Sequence, residues 1–353
     1  MKKSKKEVRS DPLVSFCVAT YKRPDFLKST LTSLLNQTYK NFEIVVSDND
    51  PEGSSEKIVK SFKSKKIIYH KNNENVGMVK NFNNAFKYTK GDYITYISDD
   101  DPLMIDMLDT LINLKKAYPD CVGYFGAGYV YVDSQKVAEA NHLRLGLTSL
   151  KNKLQKDNET HIYSPESFLK GYFSTKILPD FIWSTGIISR NALKKIGGIT
   201  SYGSAHFTDY ALLINLANQG KLAIINKELG ISKLHDGSYF KSDRALSEYV
   251  QGVLGFHHIA YPIAEKFNCI KSYEKFIAQT VFFFLLHNNN LNRKGLNNTT
   301  NNDLYSVYKK LIIQLPFLNK REFEIFLRLH YPVPFNFLFN GYLFTIQKIQ
   351  SLL

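Results

Sequence analysis

Three consecutive acids, Asp99, Asp100 and Asp101, with Asp106 close behind, are the densest run of potential metal chemistry in the sequence. Adjacent carboxylates repel each other strongly unless a cation or solvent compensates them. Hard divalent ions take such oxygens and keep phosphate oxygens as further ligands. A plainer reading has Asp101-Pro102 opening a helix with the aspartate as its N-cap, but a cap needs one carboxylate and leaves the Asp99-Asp100 pair unexplained. Two other polar clusters, Thr20-Tyr21-Lys22-Arg23-Pro24 and Ser47-Asp48-Asn49-Asp50, add an aromatic ring, cations and further carboxylates.

Each cluster follows a segment that reads as a buried strand: 13–19, 42–47 and 93–98, apolar and β-prone. Residues 66–69 read as a further strand. Between them, Phe26, Leu27, Leu31, Leu34 and Leu35 recur at helical spacing, and 56–62 and 78–88 are also helical stretches. Strands alternating with helices at such short spacing imply right-handed crossovers and a mostly parallel sheet, in which ligands bind beyond the carboxyl ends of the strands. The middle of the chain, 121–234, reads as short strands mixed with loops, with 151–160 an exposed insertion. Beyond 241 the pattern is helical, interrupted by a polar low-complexity loop over 288–302. A boundary is expected near 240.

With 353 residues, 44% hydrophobic and 22% charged, the chain is too apolar for disorder and too charged for a multi-span membrane protein. Its formal charge of +14 biases the surface toward phosphate groups, nucleic acid or anionic lipid. Cys17, Cys121 and Cys269 form neither a disulfide framework nor a zinc cluster, which suits a reducing compartment. The basic start runs into Glu7, Arg9 and Asp11 rather than an apolar segment, which argues against a signal peptide. No Gly-x-Ser-x-Gly elbow, P-loop or Gly-x-Gly-x-x-Gly follows any strand, so those enzyme classes drop out. A nucleotidyltransferase would carry a Gly-rich basic loop after the first strand, where this chain has Thr20-Tyr21-Lys22-Arg23-Pro24.

The ordered segments Val14–Pro24, Leu34–Asn49, Asn75-Val76-Gly77 and Gly91–Asp101, with the later Ser184-Thr185-Gly186, Leu193–Gly198, Thr208-Asp209 and Leu234-His235-Asp236-Gly237, resemble the family-two glycosyltransferases. That group has a GT-A fold, inverts at the anomeric carbon and uses nucleotide-diphospho-sugars. The resemblance implies an α/β fold: a Rossmann-like, mostly parallel sheet flanked by helices, with a C-terminal helical extension. Its organisation would be a basic tail over 1–12, a transferase domain over 13–240 split into a nucleotide-binding half (13–120) and an acceptor half (121–240), and a helical region over 241–353.

Carried over residue by residue, the resemblance places Thr20, Tyr21, Arg23, Asp48, Asn75, Lys80 and Asp99 at the nucleotide. Tyr21 would stack on the base and Asp48 would accept from a base imide or the ribose. The bland alternatives are a half-buried aromatic for Tyr21, an Asx turn for Asp48 and a solvated lysine for Lys80. Asp100 and His235 would hold Mn2+ or Mg2+, Ser98 standing where the family more often has an acid. Asp209 would be the general base that takes the acceptor proton, although Thr208 replaces the family's usual acid and Asp209 could be an ordinary first-turn acid of its helix. Trp183 and Ser184 would face the acceptor.

The resemblance further implies a UDP-sugar as the favoured donor, and a lipid-linked glycan or surface polysaccharide as acceptor. The aromatic and basic residues of the C-terminal region suit peripheral contact with an anionic membrane, or else a helical subdomain with its aromatics packed inward. The expected location is cytoplasmic, at the inner membrane face. A catalytically silent scaffold of the same fold is the competing reading. Nucleic-acid binding is not expected, because the positive charge is spread along the chain and the strand ends are acid-rich.

Overall fold

A central parallel strand is covered on both faces and must be apolar throughout, which is how the segment after Pro12 reads. In the computed structural model, which describes residues 11–141, 144–177, 183–235, 243–293 and 300–321, this segment is β1 (Val14–Thr20), buried at every position. The chain continues through α1 (Pro24–Leu35), β2 (Phe42–Asp48), α2 (Glu56–Ser61), β3 (Ile67–Lys71), α3 (Met78–Lys87), β4 (Tyr93–Ser98) and α4 (Met107–Ala117). Next come β5 (Cys121–Val132), α5 (Gln135–Asn141), β6 (Gly146–Ser149), β7 (Thr160–Tyr163), α6 (Pro165–Phe173), β8 (Gly186–Ser189), α7 (Arg190–Ile196), α8 (Thr208–Gln219) and β9 (Lys221–Leu234). Three helices follow: α9 (Asp243–Lys266), α10 (Ile270–Arg293) and α11 (Asn301–Gln314).

The sheet runs β3-β2-β1-β4-β8-β5-β9-β7, with β6 paired to β5. Strands β1 to β4, β5 and β9 point one way, and β6, β7 and β8 are antiparallel to their neighbours. Alternate residues of β1 therefore serve two cores. Phe16 and Val18 pack with Leu27, Leu31 and Leu34 of α1 and with Leu108 and Leu111 of α4. Cys17 and Ala19 face the other layer, where Phe82 of α3, Leu212 of α8, Phe256 of α9, Ile277 of α10 and Leu311 of α11 share one cluster. The C-terminal helices are thus part of one of the two layers that sandwich the sheet.

Two expectations are corrected and one plainer reading falls away. The middle of the chain holds long strands: β5 has 12 residues and β9 has 14, paired through register shifts that break their pattern. Asp101-Pro102 does not open a helix; the backbone turns through Asp101 N–H to Ser98 C=O, and α4 begins after Asp106. The segment from Asn288 is not a loop at its start. Helix α10 continues to Arg293, with Asn288 donating back to the Phe284 carbonyl at 3.0 Å, and α11 opens on a capping box of Thr300 and Asp303. The expected boundary near 240 and the aromatics beyond 321 lie outside the described residues. Within them the C-terminal aromatics turn mainly inward, as in the stacking of Phe284 on Tyr249 at 3.5 Å, while Phe283 is exposed.

Candidate active site

Parallel pairing brings the polar ends of three strands side by side. Thr20 lies in register with Asp48, and Ala19 is level with both Ser47 and Ser98. The chain leaving β4 passes Asp99 and Asp100, then runs along β9: Ile231 N–H donates to Pro102 C=O and Met104 N–H to Leu229 C=O, both at 2.9 Å. His235, the residue after β9, is thereby returned to Asp100.

Asp99 is fully buried and accepts from the Thr20 hydroxyl at 2.7 Å. Arg23 spans the pair of acids: Nη2 meets Asp99 Oδ1 at 2.5 Å, Nε donates to Asp99 Oδ2 at 3.3 Å, and Nη1 donates to Asp100 Oδ2 at 2.8 Å. Burial pushes the Asp99 carboxyl up to about 7, against the pull of Arg23 and with a further push from Asp100. Asp101, also buried, is held well above the carboxylate range by burial and then by its two acidic neighbours. One guanidinium therefore faces three carboxyl groups. Asp106 stands apart, bonded to Lys227 at 2.6 Å.

Asp100 Oδ2 and His235 Nε2 lie 3.1 Å apart, and Phe26 stacks on the His235 ring at 4.4 Å. Two donors about 3 Å apart match the edge of an octahedron with metal–ligand bonds of roughly 2.1 Å, so this donor set fits a hard divalent cation. Among the described residues no group of three or more His, Cys, Asp or Glu side chains makes a closed metal cage, so remaining ligands would have to come from substrate or water.

Asp48 is fully buried and its oxygens are engaged: Oδ1 accepts from Asp50 N–H at 3.0 Å, an Asx turn, and Oδ2 from Ser55 N–H at 3.1 Å and the Tyr69 hydroxyl at 2.9 Å. Tyr21 is exposed beside the aspartates, with Lys22 over its ring at 5.4 Å. Asn75 Oδ1 accepts from Asn49 Nδ2 at 2.7 Å and from Gly77 N–H at 3.0 Å. Lys80 lines a surface groove with Asn83, Asn84 and Lys87.

Asp209 sits in the first turn of α8, where its Oδ1 accepts from Tyr210 N–H at 2.9 Å. The residue is open to solvent, yet dense packing around it raises its carboxyl pKa, opposed by the backbone hydrogen bonds. Tyr172, Tyr202 and Tyr210 are near enough to feel its charge. Contact with water limits what that shift is worth energetically. Trp183 and Ser184 form a short 3-10 turn before β8. The indole packs on Tyr96 at 5.9 Å and Phe82 at 4.9 Å, and Ser184 is fully buried.

The sequence matches the glycosyl transferase family 2 domain over residues 15–197, just over half of the chain. The chain belongs to glycosyl transferase family 2. Curated relatives include the Escherichia coli UDP-Glc:alpha-D-GlcNAc-diphosphoundecaprenol beta-1,3-glucosyltransferase WfaP, 38% identical over 89 residues, which is 25% of this chain and 36% of that protein. The Campylobacter jejuni GalNAc(5)-diNAcBac-PP-undecaprenol beta-1,3-glucosyltransferase is 29% identical over 173 residues, 48% of this chain and 52% of that protein. The matches thus span about a third to a half of these relatives' lengths. Among solved structures, Staphylococcus aureus TarS 1-349 in complex with UDP-GlcNAc superposes with a TM-score of 0.54 at 14% identity, covering 90% of each chain. At that identity the likeness speaks to fold, and it bears out the GT-A reading.

Sequence reasoning missed a set of amides at the same strand ends of this family-2 chain. Asn81 Nδ2 donates to the carbonyls of Thr20 (3.3 Å) and Ser47 (3.0 Å), tying β1 to β2. Asn72 donates to Asn81 Oδ1 and Asn49 Oδ1, and Asn84 donates to Asn72. The Asn-rich stretch 72–84 was the available clue.

Proposed function

We propose that the chain is an inverting glycosyltransferase, moving a sugar from a nucleotide-diphospho-sugar, UDP-linked by preference, to a hydroxyl of a lipid-linked glycan or surface polysaccharide. The observation that carries the reading is the meeting of Thr20, Arg23, Asp99, Asp100 and His235 at the carboxyl ends of β1, β4 and β9, in a chain of this family. The UDP-GlcNAc in the TarS complex supports the donor class. The undecaprenol-linked substrates in the relatives' names support the acceptor class.

In this reading Tyr21 stacks on the base, Asp48 and Asn75 shape its pocket, and Asp99 meets the ribose. Arg23 and Lys80 face the diphosphate. Asp100 and His235 hold Mn2+ or Mg2+, which supplies charge neutralisation on the departing diphosphate. Asp209 takes the proton from the acceptor hydroxyl as that oxygen bonds to the anomeric carbon; the bond to the diphosphate breaks and its electron pair leaves with the nucleotide. Trp183 borders the acceptor, while Ser184, expected there too, is fully buried beneath that surface. Residues 13–240 are the transferase unit, its nucleotide half 13–120 and acceptor half 121–240, and 241–353 is the helical C-terminal region, whose α9, α10 and α11 pack on that unit. The enzyme works in the cytoplasm at the inner membrane face, where a lipid-linked acceptor would be met. Among the described residues no helix is long and apolar enough to cross a membrane.

The test is calorimetry with UDP, GDP, dTDP and CMP, each with and without Mn2+ or Mg2+, on the wild type and on Asp100→Ala. Metal-dependent binding of one nucleoside diphosphate, lost in the variant, supports the reading. No binding of any nucleotide overturns it in favour of a silent scaffold.

A further inference from the structure

The stretch from Gly197 to Asp209 links the end of α7 to the first turn of α8, and it is gripped from both sides. At its start, Asn83 of α3 reads the backbone of Ile199 in both directions: Asn83 Nδ2 donates to Ile199 C=O at 2.7 Å, and Ile199 N–H donates to Asn83 Oδ1 at 3.0 Å. The grip needs a turn without side chains. Gly197 and Gly198 have φ of +76° and +81°, and a Cβ on Gly198 would lie 2.6 Å from Asn83 Oδ1.

At its far end the stretch rests on α9. A Cβ on Gly255 would fall 2.3 Å from the Tyr202 ring, and one on Gly252 would fall 2.5 Å from His206 Cβ. These two glycines, three residues apart, share a face of the helix and form a notch for the loop. Glycine inside a helix costs roughly 1 kcal/mol relative to alanine, so a paired notch of this kind is a packing feature rather than a helix-forming one. Beside the notch, Phe207 adopts a left-handed backbone at φ +63°, unusual for a bulky side chain, and stacks on Phe256 of α9 at 5.6 Å. Tyr202 closes the loop on itself, its hydroxyl donating to His206 C=O at 2.6 Å.

We propose that residues 197–209 act as a strap, anchored by Asn83 in the nucleotide-binding half and by the Gly252/Gly255 notch of the C-terminal helices, and that this anchoring positions Asp209. The inference rests on the reading of Asp209 as the base. Asn83, Gly252 and Gly255 are positioning residues: they act on the chain that carries the acid. The C-terminal helices gain a role through this contact, because the loop before the base is seated on them.

The experiment compares wild type, Asn83→Ala, Asn83→Asp, Asp209→Asn and the double variant Asn83→Ala/Asp209→Asn. It measures UDP affinity by calorimetry with Mn2+, UDP release from UDP-glucose, and amide exchange by mass spectrometry. In Asn83→Ala, exchange at 199–209 should quicken at least tenfold while the strands β1, β2 and β4 keep their protection. Its UDP release should fall at least tenfold with UDP affinity within twofold of wild type. Asn83→Asp keeps the acceptor for Ile199 N–H and should fall between wild type and Asn83→Ala. The double variant should be no slower than Asp209→Asn, because the strap acts only through that residue. Unchanged exchange at 199–209 in both Asn83 variants overturns the strap, even where UDP-glucose is not turned over. So does a double variant slower than Asp209→Asn by the full Asn83→Ala factor. If Asp209→Asn retains wild-type turnover, the base reading itself fails; if it loses turnover while Asn83→Ala keeps it, only the strap fails.

Discussion

Replacing Arg23 by Met should weaken the protein and strengthen its grip on Mn2+ at the same time. The substitution keeps an unbranched stem near Phe26 and removes all three guanidinium contacts to Asp99 and Asp100. Asp99 would keep only the Thr20 hydroxyl and the Tyr21 backbone N–H. Removing one partner of a buried pair costs about 3–5 kcal/mol. Here the Arg23 side chain is 31% exposed and that of Asp100 is 12% exposed, so solvent screening brings the loss nearer 2–3 kcal/mol. For a chain of this length that is a fall in Tm of roughly 3–4 °C. The gain comes from Asp100 Oδ2, which no longer surrenders a charge-assisted hydrogen bond to receive a cation. Such a bond is worth about 1.5–3 kcal/mol, or roughly a tenfold or greater rise in Mn2+ affinity. Thermal unfolding across a Mn2+ titration measures both effects, since a ligand of the folded state raises Tm in proportion to its binding. UDP affinity in the presence of saturating Mn2+ should move the other way if Arg23 faces the diphosphate. A variant as stable as wild type, or one that Mn2+ stabilises no more than wild type, would refute the reasoning.

Asp209→Asn should hold UDP within about twofold of wild type while transfer drops by a factor on the order of 10²–10⁴, the usual contribution of a general base. A general base acts deprotonated, and the Asp209 pKa is raised, so under the proposed role activity should fall, as pH is lowered, at a pH above the ordinary value of about 3.9; an acid limb at or below that value in the pH–rate profile contradicts this. Asn81→Ala removes one hydrogen bond each from the Thr20 and Ser47 carbonyls and the Asn72 amide, and at about 1 kcal/mol for each lost bond should cost roughly 2–4 kcal/mol in urea unfolding. His257, bonded to the Tyr273 hydroxyl at 2.8 Å, has its pKa lowered by burial and then by His258. Its contribution to stability is therefore full above the unfolded value of about 6.5 and lost as pH falls below it; in urea melts between pH 7 and 5, His257→Gln should flatten the decline seen in the wild type.

What the sequence disclosed follows from what physical pattern each part leaves behind. Strands β1, β2 and β4 are read from their residues because a two-sided burial forces unbroken apolar runs, and their polar ends then declare where a ligand would sit. Strands β5 and β9 hide their length because register shifts between Cys121 and Tyr129 break the pairing into pieces. The segment from Asn288 looks like a loop by composition, yet the packing of α10 against the core carries the helix onward to Arg293, an instance of tertiary context overriding propensity.

Charged and neutral groups differ in the same way within the site. Asp99 to Asp101 announce themselves because three adjacent carboxyl groups need an explanation wherever they lie, and Arg23 and His235 are chemically conspicuous even though their partners are 77 and 135 residues away. Asn81 is not conspicuous. Its amide could face water at no cost, and nothing local says that it bridges a carbonyl 61 residues before it to another 34 residues before it. Only when β1 and β2 lie parallel do the Thr20 and Ser47 carbonyls come close enough for one amide to serve both, so the partner is created by the topology. The Asn83 grip on Ile199, 116 residues on, has the same origin. Charges at a strand end can be found from residue type and spacing; neutral groups that hold those charges in place become readable once the sheet order is known.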